Sequence, residues 1–169
     1  MIKKGLILIS IFNFLVAALS IFASTQEPVV PHDTKRFVFE SGHFKVVGEL
    51  RIPKDDEKYP LIIMVHGDGP ARRTYFYALK KCFLSAGYAT MMWDKPGAGQ
   101  STGEFSQKHM KAERAGILLD AIENVKTNPR IDSGRIGVWG ISQAGRKSLH
   151  SNLLCRDLRT VYTTCETAI

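Results

Sequence analysis

The order of hydrophobic and polar positions along the chain predicts strands and helices in alternation. Two short alternating segments, 36–42 and 43–53, meet at Ser41-Gly42, which predicts an antiparallel β-hairpin. Three continuous apolar runs follow, and such runs are typical of strands covered on both faces. They lie at 60–66, 88–93 and 134–140.

Two segments with helical periodicity separate these runs. Residues 75–88 place Phe76, Leu79, Phe83 and Leu84 on one face and end at Gly87, a residue type favoured just beyond a helix C-terminus. Residues 108–128 form a longer amphipathic pattern that stops before a proline. We therefore predict an α/β domain, a mostly parallel sheet with helices on both faces, preceded by an antiparallel β-hairpin.

The N-terminal segment has the form of a secretory signal peptide. Lys3 and Lys4 precede an apolar run from residue 5 to 23, which predicts a signal peptide over 1–24 with cleavage between Ser20 and Thr25. The alternative is an uncleaved membrane anchor, because the run approaches the roughly 18 residues that can span a bilayer. We expect an exported protein, periplasmic or secreted, or one anchored by this segment.

The charge distribution and the spacing of cysteines and histidines argue against two classes of function, nucleic-acid binding and metal binding. The net charge is +7, but the cations are dispersed in pairs such as Lys80-Lys81, which indicates a solvated basic surface and no nucleic-acid partner. Neither CxxC spacing nor an HxxxH pair occurs, so we predict no metal. In an exported chain, Cys155 and Cys165 could form a disulfide, but the sequence does not require one.

A candidate nucleophile follows the third apolar run. Residues 140–145, GISQAG, place Gly140 and Ala144 two positions before and after Ser142. A serine raised on a tight strand-to-helix turn needs small residues there because the backbone crosses itself closely, and the usual pattern is G-x-S-x-G. The alternative is a serine that caps a helix N-terminus.

Two glycine-containing stretches follow the other apolar runs. In VHGDGP, residues 65–70, the glycines allow backbone amides to turn toward a developing oxyanion. In WDKPGAGQSTGEF, residues 93–105, the glycine spacing is one residue too long for a dinucleotide fingerprint, and no P-loop lysine follows. We predict no cofactor.

Taken in order, HGDGP, DKPGAGQSTG and GISQAG make residues 37–145 resemble the α/β-hydrolase family, especially its esterase and acyl-hydrolase branch. The resemblance implies that Ser142 is the nucleophile and that small carboxylic esters or related acyl compounds are the substrates. It implies an oxyanion hole from the backbone amides of Gln143 and of the Gly67-Asp68 loop.

The same resemblance assigns His66 and Asp94 to supporting roles. His66 would shape the oxyanion loop and Asp94 would brace the glycine loop, so neither is taken as base or acid. Asp68 departs from the small residue often found there, and its carboxylate would oppose oxyanion charge unless it points away.

The base and the acid are not found where the family places them, after the nucleophile. His150 follows Ser142 by eight positions, about 12 Å along a helix, which is beyond hydrogen-bond reach. The polar tail, 146–169, lacks the small apolar residues of the expected buried helix. We expect a chain that leaves its family near Gly145, by frameshift, early stop or gene splitting, with near-null esterase activity unless a complementing chain supplies the rest.

Three alternatives to an ester hydrolase remain open on the sequence. A peptidase of the same fold fits the same motifs. A truncated, non-catalytic binding domain would keep the fold but not the reactivity of Ser142. An unrelated α/β binding protein would lack the sharp turn at Ser142.

Overall fold

The computed structural model of the chain describes residues 30–106 and 110–140. A five-stranded sheet has the order β1-β2-β4-β3-β5, with antiparallel pairing of β1 with β2 and β2 with β4, and parallel pairing of β4 with β3 and β3 with β5. The strands are β1 His32–Ser41, β2 Phe44–Pro53, β3 Tyr59–Val65, β4 Ala89–Trp93 and β5 Ile131–Gly140, and the helices are α1 Tyr77–Ser85 and α2 Met110–Lys126. This mixed sheet confirms the α/β class.

The first two strands form the predicted hairpin. Ser41 pairs with Phe44 across a turn in which Gly42 has φ +57°. The strand β1 begins at His32, four residues before the alternating pattern, because pairing of its backbone with β2 continues as far as Pro53. Those first four residues are polar, so hydrophobic alternation could not reveal them.

Each face of the sheet carries one helix, as predicted. Adjacent residues of β3 alternate between the faces: Ile63 packs in the cluster that contains α2, and Met64 packs in the cluster that contains α1. The α2 side is filled by Ile117, Leu118, Ala121, Ile122 and Val125, and the α1 side by Phe76, Leu79 and Phe83. The period of two in the strand thus sets which helix covers each side chain.

The end of α1 agrees with the sequence, and its start does not. Gly87 has φ +79°, its N–H donates to the Leu84 carbonyl at 3.0 Å, and the Tyr88 N–H donates to the Phe83 carbonyl at 2.9 Å. These are the two hydrogen bonds of a Schellman motif. The helix begins only at Tyr77, because Phe76 has left-handed φ of 55°. The Phe76 ring still packs on Trp139, at 5.3 Å between centroids.

The prediction of a solvated basic surface is wrong for Lys80. Its side chain is buried, its Nζ lies 3.2 Å from Glu49 Oε1, and it also donates to the carbonyl oxygen of Arg73. Burial lowers the pKa of Lys80, whereas the attraction of Glu49 raises it. This lysine therefore fastens α1 to β2 and to the segment that precedes the helix.

The predicted signal peptide, residues 1–24, lies outside the described residues, as do Ser142, Gln143, His150 and the tail 146–169. Within the described part of the chain, no helix has the length and apolar character needed to cross a membrane.

Candidate functional site

The candidate site lies where three parallel strands end. Val65, the last residue of β3, is the Cα partner of Gly140, the last residue of β5. Residues 66–70, here called the oxyanion loop, therefore leave the sheet beside the point from which the chain continues to Ser142. Covalent geometry allows two residues to reach at most roughly 7 Å from Gly140. The order of the strands thus brings the starts of the HGDGP and GISQAG motifs to the same edge of the sheet, at the carboxyl ends of β3 and β5.

His66 is held inside the oxyanion loop. The residue is 2% exposed, its Nε2 lies 3.4 Å from the Arg72 carbonyl oxygen, and its ring is nearly perpendicular to the Trp93 ring, with 6.4 Å between the centroids. Burial lowers the pKa of His66 to about 4, so the ring is neutral at physiological pH. These contacts agree with the loop-shaping role that the family resemblance implies.

Two cations converge on the carbonyl groups of the oxyanion loop. Lys95 donates from Nζ to the carbonyl oxygens of Gly67 and Gly69, the latter at 2.7 Å. Arg114, on α2, donates from Nη2 to the same Gly67 oxygen at 2.9 Å. Burial and the nearby Arg114 lower the pKa of Lys95 to about 8, and Asp68 acts in the opposite direction.

The carboxylate of Asp68 is directed toward Arg114. The Arg114 Nη2 atom lies 3.3 Å from Asp68 Oδ1, so one guanidinium contacts both this carboxylate and the Gly67 carbonyl. The Asp68 side chain was expected to point away from a developing oxyanion, because its negative charge would oppose the charge of the oxyanion. An ion pair with Arg114 partly offsets the carboxylate charge that would otherwise oppose that oxyanion.

Lys95 and Arg114 were not singled out by the sequence. Lys95 does stand within the DKPGAG motif, directly after a buried strand, which is the signal that could have drawn attention to it. Arg114 lies in the middle of an ordinary amphipathic helix, 46 positions from Asp68, and carries no local signal.

Asp94 holds the loop that follows β4, residues 94–105, here called the glycine loop. Its carboxylate is fully buried and accepts the backbone N–H of Arg73 at 2.7 Å and that of Gln100 at 2.9 Å, together with the Arg73 guanidinium. The bracing role expected for Asp94 is confirmed by the bond to Gln100. All these donors satisfy a buried carboxylate that would otherwise be costly.

The glycines of this loop allow close packing of the backbone. Gly97 and Gly99 have φ of +74° and +57°. A Cβ on Gly99 would lie 2.2 Å from Asp94 Oδ2, and one on Gly97 would lie 2.2 Å from the Phe105 nitrogen. Glycine is therefore required here by conformation and by space.

A small cleft opens beside the oxyanion loop. It is lined in part by His66, Lys95, Phe105 and Arg114, and its volume is about 30 Å³. That volume accommodates a water molecule or two. Among the residues that the structure describes, no group of three or more His, Cys, Asp or Glu side chains is arranged to hold a metal ion.

The fold and the loop geometry define the class of protein: this is part of an α/β-hydrolase, as the sequence motifs predicted. A model of the X-Pro dipeptidyl-peptidase (S15) family matches residues 42–167. The chain belongs to this family. The match also includes most of the tail, where the sequence analysis expected the resemblance to end.

Curated relatives are longer than this chain. An uncharacterized 31.7 kDa protein of Escherichia coli, from the traX-finO intergenic region, is 34% identical over 96 residues, which are 57% of this chain and 33% of that protein. The quorum-quenching protein AidA of Acinetobacter baumannii is 28% identical over 138 residues, 82% of this chain and 44% of AidA. The chain thus spans between a third and a half of these proteins.

Solved structures show the same partial coverage. The hypothetical protein PA2218 from Pseudomonas aeruginosa matches with a TM-score of 0.67 at 19% identity, over 82% of this chain and 44% of that one. Est1E from Butyrivibrio proteoclasticus, solved with ferulic acid bound, matches with a TM-score of 0.57 at 26% identity, over 67% of this chain and 45% of Est1E.

Proposed function

We propose that this chain carries the nucleophile of a serine hydrolase: Ser142 attacks a carboxylic ester or a related small acyl substrate, and its hydroxyl proton passes to a base that the described residues do not include. The observation that carries the proposal is the pairing of Val65 with Gly140, because it sets the oxyanion loop beside the strand that leads directly to Ser142. Backbone amides of Gln143 and of Gly67-Asp68 would stabilise the oxyanion that forms when Ser142 attacks.

The choice of an ester rests on the neighbours of the chain. Est1E, one of the neighbours named above, was solved with ferulic acid bound. The S15 family match favours the second candidate, a peptidase that cleaves after Xaa-Pro, and this alternative requires its own test. The ester hydrolase and the peptidase would use the same nucleophile, Ser142. They would be distinguished by which acyl group reacts fastest with it.

Covalent labelling tests the nucleophile. We expect an alkyl fluorophosphonate to modify the folded chain at Ser142 and Ser142→Ala to abolish that adduct, with mass spectrometry locating the modified residue. Ser133→Ala, a change at an exposed position of β5, is the matched control and should leave the labelling unchanged. An adduct that persists in Ser142→Ala, or a folded chain that is never modified at Ser142, contradicts the proposal.

A second probe in the same experiment separates ester from peptide. Two fluorophosphonates with the same leaving group are compared, one carrying an alkyl group and the other an Xaa-Pro group on phosphorus. The Xaa-Pro probe should react at least about tenfold more slowly, a difference of about 1.4 kcal/mol in activation free energy. The reverse order would favour the peptidase.

We also propose that residues 1–24 direct export, on the basis of the two lysines and the apolar run that follows them. N-terminal sequencing of the chain expressed in bacteria should find a first residue between Ser20 and Thr25. A chain that retains Met1 and fractionates with membranes would instead indicate the anchor.

A further inference from the structure

We propose that Lys95 and Arg114 are positioning residues that orient the Gly67-Asp68 peptide so that the Asp68 N–H faces the oxyanion. This inference rests on the proposed function of the oxyanion loop. In this proposal, the side chains of Lys95 and Arg114, which belong to the glycine loop and to α2, fix the orientation of the backbone N–H of Asp68.

The geometry of one peptide group connects the two cations with the Asp68 N–H. No cis peptide bond occurs in the described residues, so the Gly67 carbonyl and the Asp68 N–H point in opposite directions. Lys95 and Arg114 both donate to the Gly67 oxygen, and a carbonyl oxygen has two lone pairs to accept them. Fixing the carbonyl therefore turns the Asp68 N–H away from both cations.

The two donors come from different elements, and each makes a second contact with the oxyanion loop. Lys95 directly follows the glycine-loop anchor Asp94, is 5% exposed, and is fixed by a second bond to the Gly69 carbonyl. Arg114 belongs to α2, and its side chain is 18% exposed and also pairs with Asp68. A flip of the peptide would break two charge-assisted hydrogen bonds in a part-buried region, and such bonds are about twice as strong as neutral ones.

A glycine stands on each side of Asp68. Gly67 carries no side chain that could resist rotation, and Gly69 has φ +80°. The loop therefore has backbone freedom on both sides of Asp68, and the cations supply the constraint that local sequence does not.

Orientation can be measured directly on the Asp68 amide. In Lys95→Met, which retains the apolar stem of the side chain, we expect the residual dipolar coupling of the Asp68 N–H to change while that of Met64 in β3 stays the same. Lys126→Met is the matched control, because Lys126 lies on α2 in an exposed ion pair with Glu123. It should leave both couplings unchanged.

The same variants are then labelled with the alkyl fluorophosphonate. We expect Lys95→Met to slow modification of Ser142 by about 10- to 100-fold, somewhat less than the loss of a whole oxyanion donor, and Lys126→Met to change it less than twofold. Arg114→Gln, which keeps a donor but not the charge, should slow it by about tenfold and serves as the second variant if Lys95→Met does not fold.

The outcomes separate this inference from the proposed function. An unmodified Ser142 in the native chain contradicts the hydrolase, and the dipolar coupling then decides the positioning role by itself. Normal labelling of Lys95→Met or Arg114→Gln with an unchanged Asp68 coupling overturns the positioning role and leaves the hydrolase intact.

Discussion

His66 and Asp94 are the side chains that a search for a base and an acid would select first, since each stands directly after a buried strand. In the structure, the polar atoms of both side chains are engaged in contacts with the loops that they stabilise. The carboxylate of Asp94 accepts donors from Arg73 and Gln100, and the imidazole of His66 is enclosed against Trp93. At the scale of single residues, burial and partners therefore assign these groups to the support of the site.

The neutral state of His66 predicts a pH dependence of stability. Its pKa is about 4 in the folded chain and 6.5 when exposed, so the unfolded chain binds a proton first as the pH falls. Stability from this residue is complete above pH 6.5 and is lost as the pH falls toward 4. We expect the free energy of unfolding to drop by about 2 kcal/mol between pH 7 and pH 5, a window in which carboxylates titrate little.

Urea titrations at a series of pH values would measure that drop. His66→Gln should flatten the pH dependence in this window, and His43→Gln, at an exposed position, should preserve it. A slope that survives in His66→Gln would mean that another group takes up the proton.

At the scale of elements, the glycine loop shows that close internal packing can require glycine at fixed positions of a turn. Gly99 combines left-handed φ with a Cβ position 2.2 Å from a carboxylate oxygen that is itself fixed by Arg73 and Gln100. Gly42, in the hairpin turn, has the same φ of +57° and open space around it. A side chain at Gly42 would therefore meet conformational strain alone, whereas a side chain at Gly99 would meet the same strain and a steric overlap.

Gly99→Ala should lower the free energy of unfolding by about 3 kcal/mol or more, whereas Gly42→Ala should lower it by about 1 kcal/mol. Thermal and chemical denaturation of both variants would give the comparison. Equal losses would show that the overlap at Gly99 is relieved by movement of Asp94, and would contradict a rigidly braced loop.

The elements also show what hydrophobic pattern can and cannot predict. The hairpin, the buried strands and the two helices follow from alternation, apolar runs and helical periodicity, which are local properties. The early start of β1 depends on pairing with β2, and the burial of Lys80 depends on Glu49, which is 31 positions away. Contacts of this kind carry no periodic signal.

The candidate site also has features that could be predicted from the sequence and features that could not. Its loops could be predicted because glycine, histidine and aspartate stand at fixed places after buried strands. The convergence of Lys95 and Arg114 on Gly67 could not, since it depends on the position of α2 over the sheet.

At the scale of the whole molecule, the described residues form an α/β-hydrolase sheet with a helix on each face. The oxyanion loop lies beside the end of β5, and the glycine loop contacts the oxyanion loop through Lys95. The chain spans between a third and a half of the curated relatives named above, so the substrate and activity of a complete enzyme are proposals. The central claim is more limited. It states that the oxyanion loop and Ser142 act on the same reacting group.

A crystal structure of the chain after reaction with an alkyl fluorophosphonate tests that claim most directly. The account predicts phosphorus bonded to Ser142 Oγ, with the phosphonyl oxygen about 2.7–3.1 Å from the Asp68 nitrogen. An adduct on Ser142 whose phosphonyl oxygen lies beyond about 3.5 Å from every backbone nitrogen of the oxyanion loop would contradict it.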